Sequence, residues 1–320
     1  MPLPLRDLVE LVIEYHRKYR LPVPAPRDVV YKWAYKLGIP RGGDTVIYTG
    51  ALYQLIPYIR VFVDHLSRLE EVVGVTALLK LVRRLGIEEA LTSLVTRVSE
   101  EDVRKQYEIL EKIALLLRKA GVNYGYLYED DIYPGTVLYL LGLESELRSY
   151  AKEVYERLKF LGVKTLITLD PHTTHLMKYV YREIVDGYDI RVRSYIEVLG
   201  ERLLSPVRKI NVTTTIHDPC YYARYLGLVD EPRKLLEMGG VTIEEASRGK
   251  RFTSCCGGPI EFIAPHLAES ITRHRLEELE AVSKNIVTLC PICHLRFSML
   301  RSEDTTIVDI VDYLYAIYGD

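Results

Sequence analysis

Hydrophobic positions along this chain follow two rhythms. Short apolar runs, rich in β-branched and aromatic residues, occur at 45–49, 124–128, 163–169, 210–216 and 285–289. Their length and their Gly, Asp and Pro boundaries predict buried strands. Between them, 144–161, 172–185, 232–238 and 264–283 place apolar residues three and four apart, the spacing that puts one face of a helix against a core. Segment 4–20 carries the same spacing and predicts an amphipathic helix, followed by a Pro-rich link at 22–26. Alternation of short strands with helices predicts an α/β fold of mostly parallel, open sheets with helices on both faces.

The pattern also repeats. Thr168-Leu169-Asp170-Pro171-His172-Thr173 mirrors Thr288-Leu289-Cys290-Pro291-Ile292-Cys293 at an offset of 120, and Tyr133-Pro134-Gly135 stands where Cys255-Cys256-Gly257 would at 122. Val192, Ser194, Glu197 and Leu199 echo Ile307, Asp309, Asp312 and Leu314 at 115. Val46 to Ala51 matches the approach to Cys220 at 169. The chain therefore reads as two pseudo-symmetric lobes. The expected organisation is an N-terminal helical segment at 1–42, a first repeat at 43–205 and a second at 206–320. The jump in offset places an insertion in the first repeat at 66–119, where Leu, Val, Arg and Glu at helical spacing predict helices that pack on the lobe or meet a partner.

Charge excludes one large class of partners. The net charge is −2, from 42 basic and 44 acidic residues mixed along the chain, so no basic stripe invites nucleic acid. No apolar run is long enough to span a bilayer, and Met1-Pro2-Leu3-Pro4 lacks a signal-peptide layout, so a cytoplasmic protein is expected. Only five side-chain amides (Gln54, Gln106, Asn123, Asn211, Asn285) accompany abundant Arg, Glu and Tyr, a balance suited to a thermophile.

The candidate chemistry sits in the last third. All five cysteines, Cys220, Cys255, Cys256, Cys290 and Cys293, form one pattern, C-x34-C-C-G-G-P-x30-C-P-x-C. An odd number of thiols in a chain expected in a reducing compartment argues against disulfides. Zinc is a stronger alternative, because Cys290-Pro291-Ile292-Cys293 makes half of a tetrahedral site. Zinc leaves one thiol over, however, and the neighbouring side chains of Cys255 and Cys256 point apart on an extended segment. An iron–sulfur cluster is large enough to accept both, and Gly257 and Gly258 let the main chain approach a bulky inorganic group. Pro291 fixes the backbone where a helix N-terminus would favour thiolate charge. His217 and His294 are the nearby groups able to protonate a departing thiolate, against the alternative that both are structural.

His217-Asp218-Pro219-Cys220-Tyr221-Tyr222-Ala223-Arg224-Tyr225, Asp230-Glu231-Pro232-Arg233, Cys255-Cys256-Gly257-Gly258 and Cys290-Pro291-Ile292-Cys293 resemble the CCG (cysteine-rich) domain. That domain occurs in heterodisulfide reductase catalytic subunits and in iron–sulfur subunits of glycolate, lactate and glycerol-3-phosphate oxidising complexes. The resemblance covers 210–320, with a fainter likeness from about 20 to 205. It implies a duplicated CCG fold and a [4Fe–4S] cluster, of the noncubane kind in the reductases, held by the five cysteines at a site of disulfide reduction. The first repeat departs from that pattern, since Ala51, Tyr133, Pro134, Asp170 and Thr173 stand at its cysteine positions. Asp170, His172 and His175 could bind a metal there, but three polar residues at a turn are more often structural. A ferredoxin-type C-x2-C-x2-C-x3-C-P run is absent. The expectation is therefore an iron–sulfur redox subunit of a heterodisulfide reductase-like complex, an oxidoreductase component fed by a ferredoxin-like iron–sulfur subunit, a flavin subunit or both. The alternatives are an electron-transfer subunit of a glycolate, lactate or glycerol-3-phosphate dehydrogenase complex, and a zinc-binding structural or assembly protein. Loss of one complete motif tilts away from full heterodisulfide reduction.

Overall fold

A computed structural model describes residues 5–72, 97–202 and 205–319. Two four-stranded sheets organise it. In the first, β1 (Thr45–Tyr48), β2 (Gly125–Tyr126), β3 (Thr165–Thr168) and β4 (Arg191–Ser194) lie in the order β2-β1-β3-β4. In the second, β5 (Val212–His217), β6 (Val241–Ile243), β7 (Asn285–Thr288) and β8 (Thr306–Asp309) lie in the order β6-β5-β7-β8. Every pairing is parallel. The central strands are buried along nearly their whole length, as parallel sheets with helices on both faces require. The sequence expectation of two α/β lobes holds. Strands β4, β6 and β8 were not among the expected apolar runs. They are sheet edges of three or four residues, and exposed or charged positions such as Arg191 and Asp309 break their apolar pattern.

The helices are α1 (Leu5–Tyr19), α2 (Leu52–Val72), α3 (Glu100–Lys119), α4 (Thr136–Leu140), α5 (Glu144–Phe160), α6 (Pro171–His175), α7 (Tyr181–Ile184), α8 (Tyr195–Arg202), α9 (Asp230–Met238), α10 (Pro265–Glu280), α11 (Pro291–Leu300) and α12 (Ile310–Tyr318). A π-turn at Leu176–Val180 joins α6 to α7. Of the expected insertion, 73–96 lies outside the described residues. Its described end, α3, is capped by Ser99 and carries acids in its first turn and bases in its last, matching the helix dipole. It packs on α2 and α12, and Lys112 bonds Asp312 of the other lobe at 2.5 Å.

The duplication is visible in the registers. Tyr48 pairs with Thr168 and Thr168 with Ser194; in the second sheet His217 pairs with Thr288 and Thr288 with Asp309, at the sequence offsets of 169, 120 and 115. The lobes clasp each other reciprocally. Tyr53 of the first bonds Asp309 of the second at 3.0 Å, and Tyr222 of the second bonds Ser194 of the first at 2.8 Å. One continuous apolar core, including Trp33, Ile47, Leu110, Ile216, Val287 and Ile310, crosses this interface and holds the carboxyl ends of β5 and β7 in place.

Helix α1 seals one side through His16, which is buried edge-on against Tyr133 and Tyr150. Burial, then Arg20, pushes His16 down to about 4. Its folded value lies below its unfolded one, so this contribution is present above about 6.5 and is lost as pH falls toward 4. Hydrogen exchange in α1 should therefore quicken between pH 6.5 and 4 relative to the central strands, after correction for intrinsic rates. Unchanged relative protection would refute the docking role of His16.

Candidate metal centre

The second sheet delivers five thiols to one place. Strand β5 ends at His217, and Asp218-Pro219 lead to Cys220 and a π-turn at Tyr221–Leu226, closed by Gly227 at φ +71°. Strand β7 ends at Thr288, and Cys290 is the N-cap of α11, with Pro291 at its first position and Cys293 within its first turn. A third loop brings Cys255 and Cys256. Gly257 follows at φ +83°, where an added Cβ would lie 2.4 Å from the Ala268 carbonyl oxygen. A Cβ on Gly258 would lie 2.2 Å from Ile292. Only glycine fits either position, and this close approach lets the loop close over the site.

The thiols form a connected chain: Cys220 contacts Cys255, Cys255 contacts Cys256, Cys256 contacts Cys293, and Cys293 contacts Cys290. Cys256, Cys290 and Cys293 are buried, while Cys220 and Cys255 reach the surface. Bonds from the Cys220 and Cys256 thiols hold Cys255 far below the usual thiol range, and the Gly257 N–H adds another at 3.4 Å. Burial opposes ionisation of Cys290, but bonds from Cys293 and His172 outweigh it and lower that thiol as well. Cys220, Cys256 and Cys293 are pushed up, because each bonds a sulfur that already carries the charge. Five thiolates cannot ionise together here without bound cations. That donor set suits an iron–sulfur group, and a single zinc would leave one sulfur unused.

Histidine and arginine surround the sulfurs. A ring nitrogen of His217 lies within 4.8 Å of the Cys256 and Cys293 sulfurs, themselves that close to each other. Arg275 Nε donates to His217 Nδ1 at 3.3 Å, which places the ring proton on Nε2, an atom with no other partner among the described residues. Burial, then the Arg275 charge, lowers His217 to about 3, so the ring is neutral. His294 sits on the far side of the same turn, where its Nδ1 meets Thr288 Oγ1 at 3.2 Å. Burial lowers it to about 4. Its repeat mate Thr174 makes the matching bond to Thr168 at 2.8 Å, so both lobes clamp strand to helix in this way.

Sequence reasoning did not place three neighbours at the sulfurs. His172, from the first lobe, bonds Cys290, and its Nδ1 has no partner among the described residues. Buried Arg275 and Arg296 hold positive charge close to Cys293 and Cys256 respectively. The alignment of Asp170–Thr173 with Cys290–Cys293 was the available signal for His172. Nothing local marks the arginines, which arrive from α10 and α11 by packing. In the first lobe Asp170 caps α6 as Cys290 caps α11, accepting from the His172 and Thr173 N–H groups at 2.9 Å each. The remaining counterparts, Ala51, Tyr133, Pro134 and Thr173, offer no sulfur. His175 turns to the rings of Tyr139, Tyr221 and Tyr225. An apolar cavity of about 80 Å³ lies between Tyr133, His172, Gly258, Phe262 and Ile292.

Comparison with known proteins bears on this arrangement. Residues 214–298 match the family model described as the cysteine-rich domain, CCG. The chain is 29% identical over 224 residues to the EtfAB:quinone oxidoreductase of Syntrophomonas wolfei, covering 64% of this chain and 31% of that protein. It is 30% identical over 200 residues to the Bacillus subtilis protein named "Probable iron-sulfur-binding oxidoreductase FadF", covering 60% and 28%. It is 28% identical over 210 residues to a component of the dihydromethanophenazine:CoB–CoM heterodisulfide reductase of Methanosarcina mazei, covering 62% and 51%. The chain thus spans about half or less of each relative. These similarities support an iron–sulfur redox role. Among the described residues no helix is long and apolar enough to cross a membrane.

Proposed function

We propose that this chain, which carries a CCG cysteine-rich domain at 214–298, is an iron–sulfur redox subunit of a heterodisulfide reductase-like complex. The observation that carries the reading is the single connected chain of five sulfurs, closed by glycines and flanked by buried arginines. Cys220, Cys255, Cys256, Cys290 and Cys293 would hold one [4Fe–4S] cluster, and Gly257 and Gly258 would admit it. When bound, such a cluster supplies one-electron transfer and a soft metal site for sulfur. Arg275 and Arg296 offset the negative charge of gathered thiolates. His217, neutral with its proton on Nε2, is placed to steady a departing thiolate by hydrogen bonding, not to give that proton up, since losing it would leave an imidazolate. His294 is assigned to the strand-to-helix clamp rather than to proton transfer. His172 donates toward Cys290 from the opposite lobe. A ferredoxin-like iron–sulfur subunit, a flavin subunit or both would exchange electrons with it.

A second reading, an electron-transfer subunit of a dehydrogenase complex, is supported by the sulfur-free first lobe, which offers only one side of a two-cluster site. The test is anaerobic purification with iron, zinc and acid-labile sulfide counted per chain, plus EPR with and without added thiol. About four irons and four sulfides support one [4Fe–4S] cluster, and a thiol-shifted EPR signal favours the reductase reading over the second. One zinc and no iron would sink both.

A further inference from the structure

The Cys220–Cys255 edge is where the thiol cluster meets solvent; Cys256, Cys290 and Cys293 are sealed inside. Electron transfer decays steeply with distance, so a protein carrier seated over that edge would reach the sulfurs by a short path. Two exposed aromatic side chains stand beside it: Tyr225, 58% exposed, on the Cys220 turn, and Phe252, 84% exposed, three residues before Cys255. Exposed aromatic rings of this size mark contact surfaces more often than chance. Arg224, Lys250 and Arg251 are exposed beside them. Lys250 and Arg251 enter no ion pair among the described residues, and the acid next to Lys250, Glu245, is already paired with Arg233 at 2.5 Å.

This collar is held rigidly. The Lys250–Phe252 turn packs on the Tyr221–Leu226 turn, and Arg251 Nη2 lies over Gly227, 3.1 Å from where a Cβ would sit. Lys250 is one of few non-glycine residues with positive φ, at +52°. Its N–H donates to Asp218 Oδ2 at 2.7 Å, and Thr253 Oγ1 donates to the Asp218 carbonyl at 2.9 Å. Arg224 adds a bond to the Thr253 carbonyl. Backbone strain fixed by a buried network is the mark of a turn whose shape is used. Tyr225 is steadied by the His175 ring of the first lobe, 4.8 Å away.

We propose that Arg224, Tyr225, Lys250, Arg251 and Phe252 form the docking face for an acidic iron–sulfur electron-carrier protein. The inference rests on the proposed function and names its partner's surface chemistry. The whole chain has a net charge of −2, so the attraction belongs to this face and not to the molecule at large. A preformed basic and aromatic collar steers an acidic carrier onto the exposed edge and leaves little ordering to do on contact.

The probe is an oxidised acidic plant-type [2Fe–2S] ferredoxin, titrated calorimetrically into the full chain at low and high salt. Wild type should bind, and more weakly as salt rises. Lys250→Glu with Arg251→Glu should weaken binding about tenfold or more and flatten the salt dependence. Phe252→Ala, which leaves the charge intact, should weaken binding about tenfold while keeping the salt dependence. No binding by wild type at low salt, or equal affinity for wild type and the charge-reversed variant, overturns the docking face. Iron and sulfide counted on the same preparations separate the two levels. An iron-free chain overturns the proposed function, whereas an iron-loaded chain that ignores the ferredoxin overturns only the docking face.

Discussion

Cys255→Ser should strip most of the iron from the protein, while Asp170→Ala should leave iron per chain unchanged. Cys255 is an inner link of the sulfur chain, contacting Cys220 and Cys256 and receiving the Gly257 N–H. A serine oxygen is harder and far less acidic than a thiol, and iron–sulfur groups select soft thiolate. Asp170 occupies the position in the first repeat that Cys290 occupies in the second, but it uses its carboxylate as a helix cap. Removing it leaves the His172 and Thr173 N–H groups of α6 without that acceptor, a loss of about 1–2 kcal/mol of stability. Metal analysis and thermal unfolding on the same two variants check both halves. Equal iron loss in both would refute the claim that the first lobe holds no ligand of its own.

Arg233→Met should destabilise the protein by about 3–5 kcal/mol, read as a lower midpoint in urea unfolding of the second lobe. Arg233 and Asp218 are almost fully buried and joined by two bonds of 2.8 and 2.9 Å. Arg233 also bonds Glu245 and the Val229 carbonyl at 2.5 and 2.6 Å. Methionine fills the volume but leaves Asp218 as a buried charge without its cation. Asp218 also anchors Lys250 and Thr253, so the loss spreads to the turn leading into Cys255. The double variant Asp218→Asn/Arg233→Met should recover part of the stability, because it removes the orphaned charge. A single variant within about 1 kcal/mol of wild type would show that the network is not structural.

Each half of the sequence could be interpreted where local physics dominates. Apolar runs such as 45–49 and 285–289 announced central strands, because a parallel strand buried on both faces needs continuous apolar side chains. The edge strands β4, β6 and β8 escaped, since a short strand paired on one side is free to carry Arg191 or Asp309. The duplication was readable at offsets of 115, 120 and 169, and the strand registers keep the same offsets. At the site, the five thiols stood out because no cysteine occurs elsewhere in the chain.

By itself, the sequence determined the α/β alternation, the repeat and the gathering of thiols on three loops at strand ends, since strand length, helix spacing and residue chemistry are properties of neighbouring positions. Tertiary structure alone decided what surrounds those thiols. It brought His172 across the lobe interface to Cys290, set Arg275 against His217 and Arg296 near Cys256, and turned His294 away to Thr288. It also exposed Cys220 and Cys255 beside a strained, basic turn while burying the other three. These partners are tens to more than a hundred positions apart or lie on the opposite side of one turn. Their placement depends on how two lobes share a core, which no local pattern records.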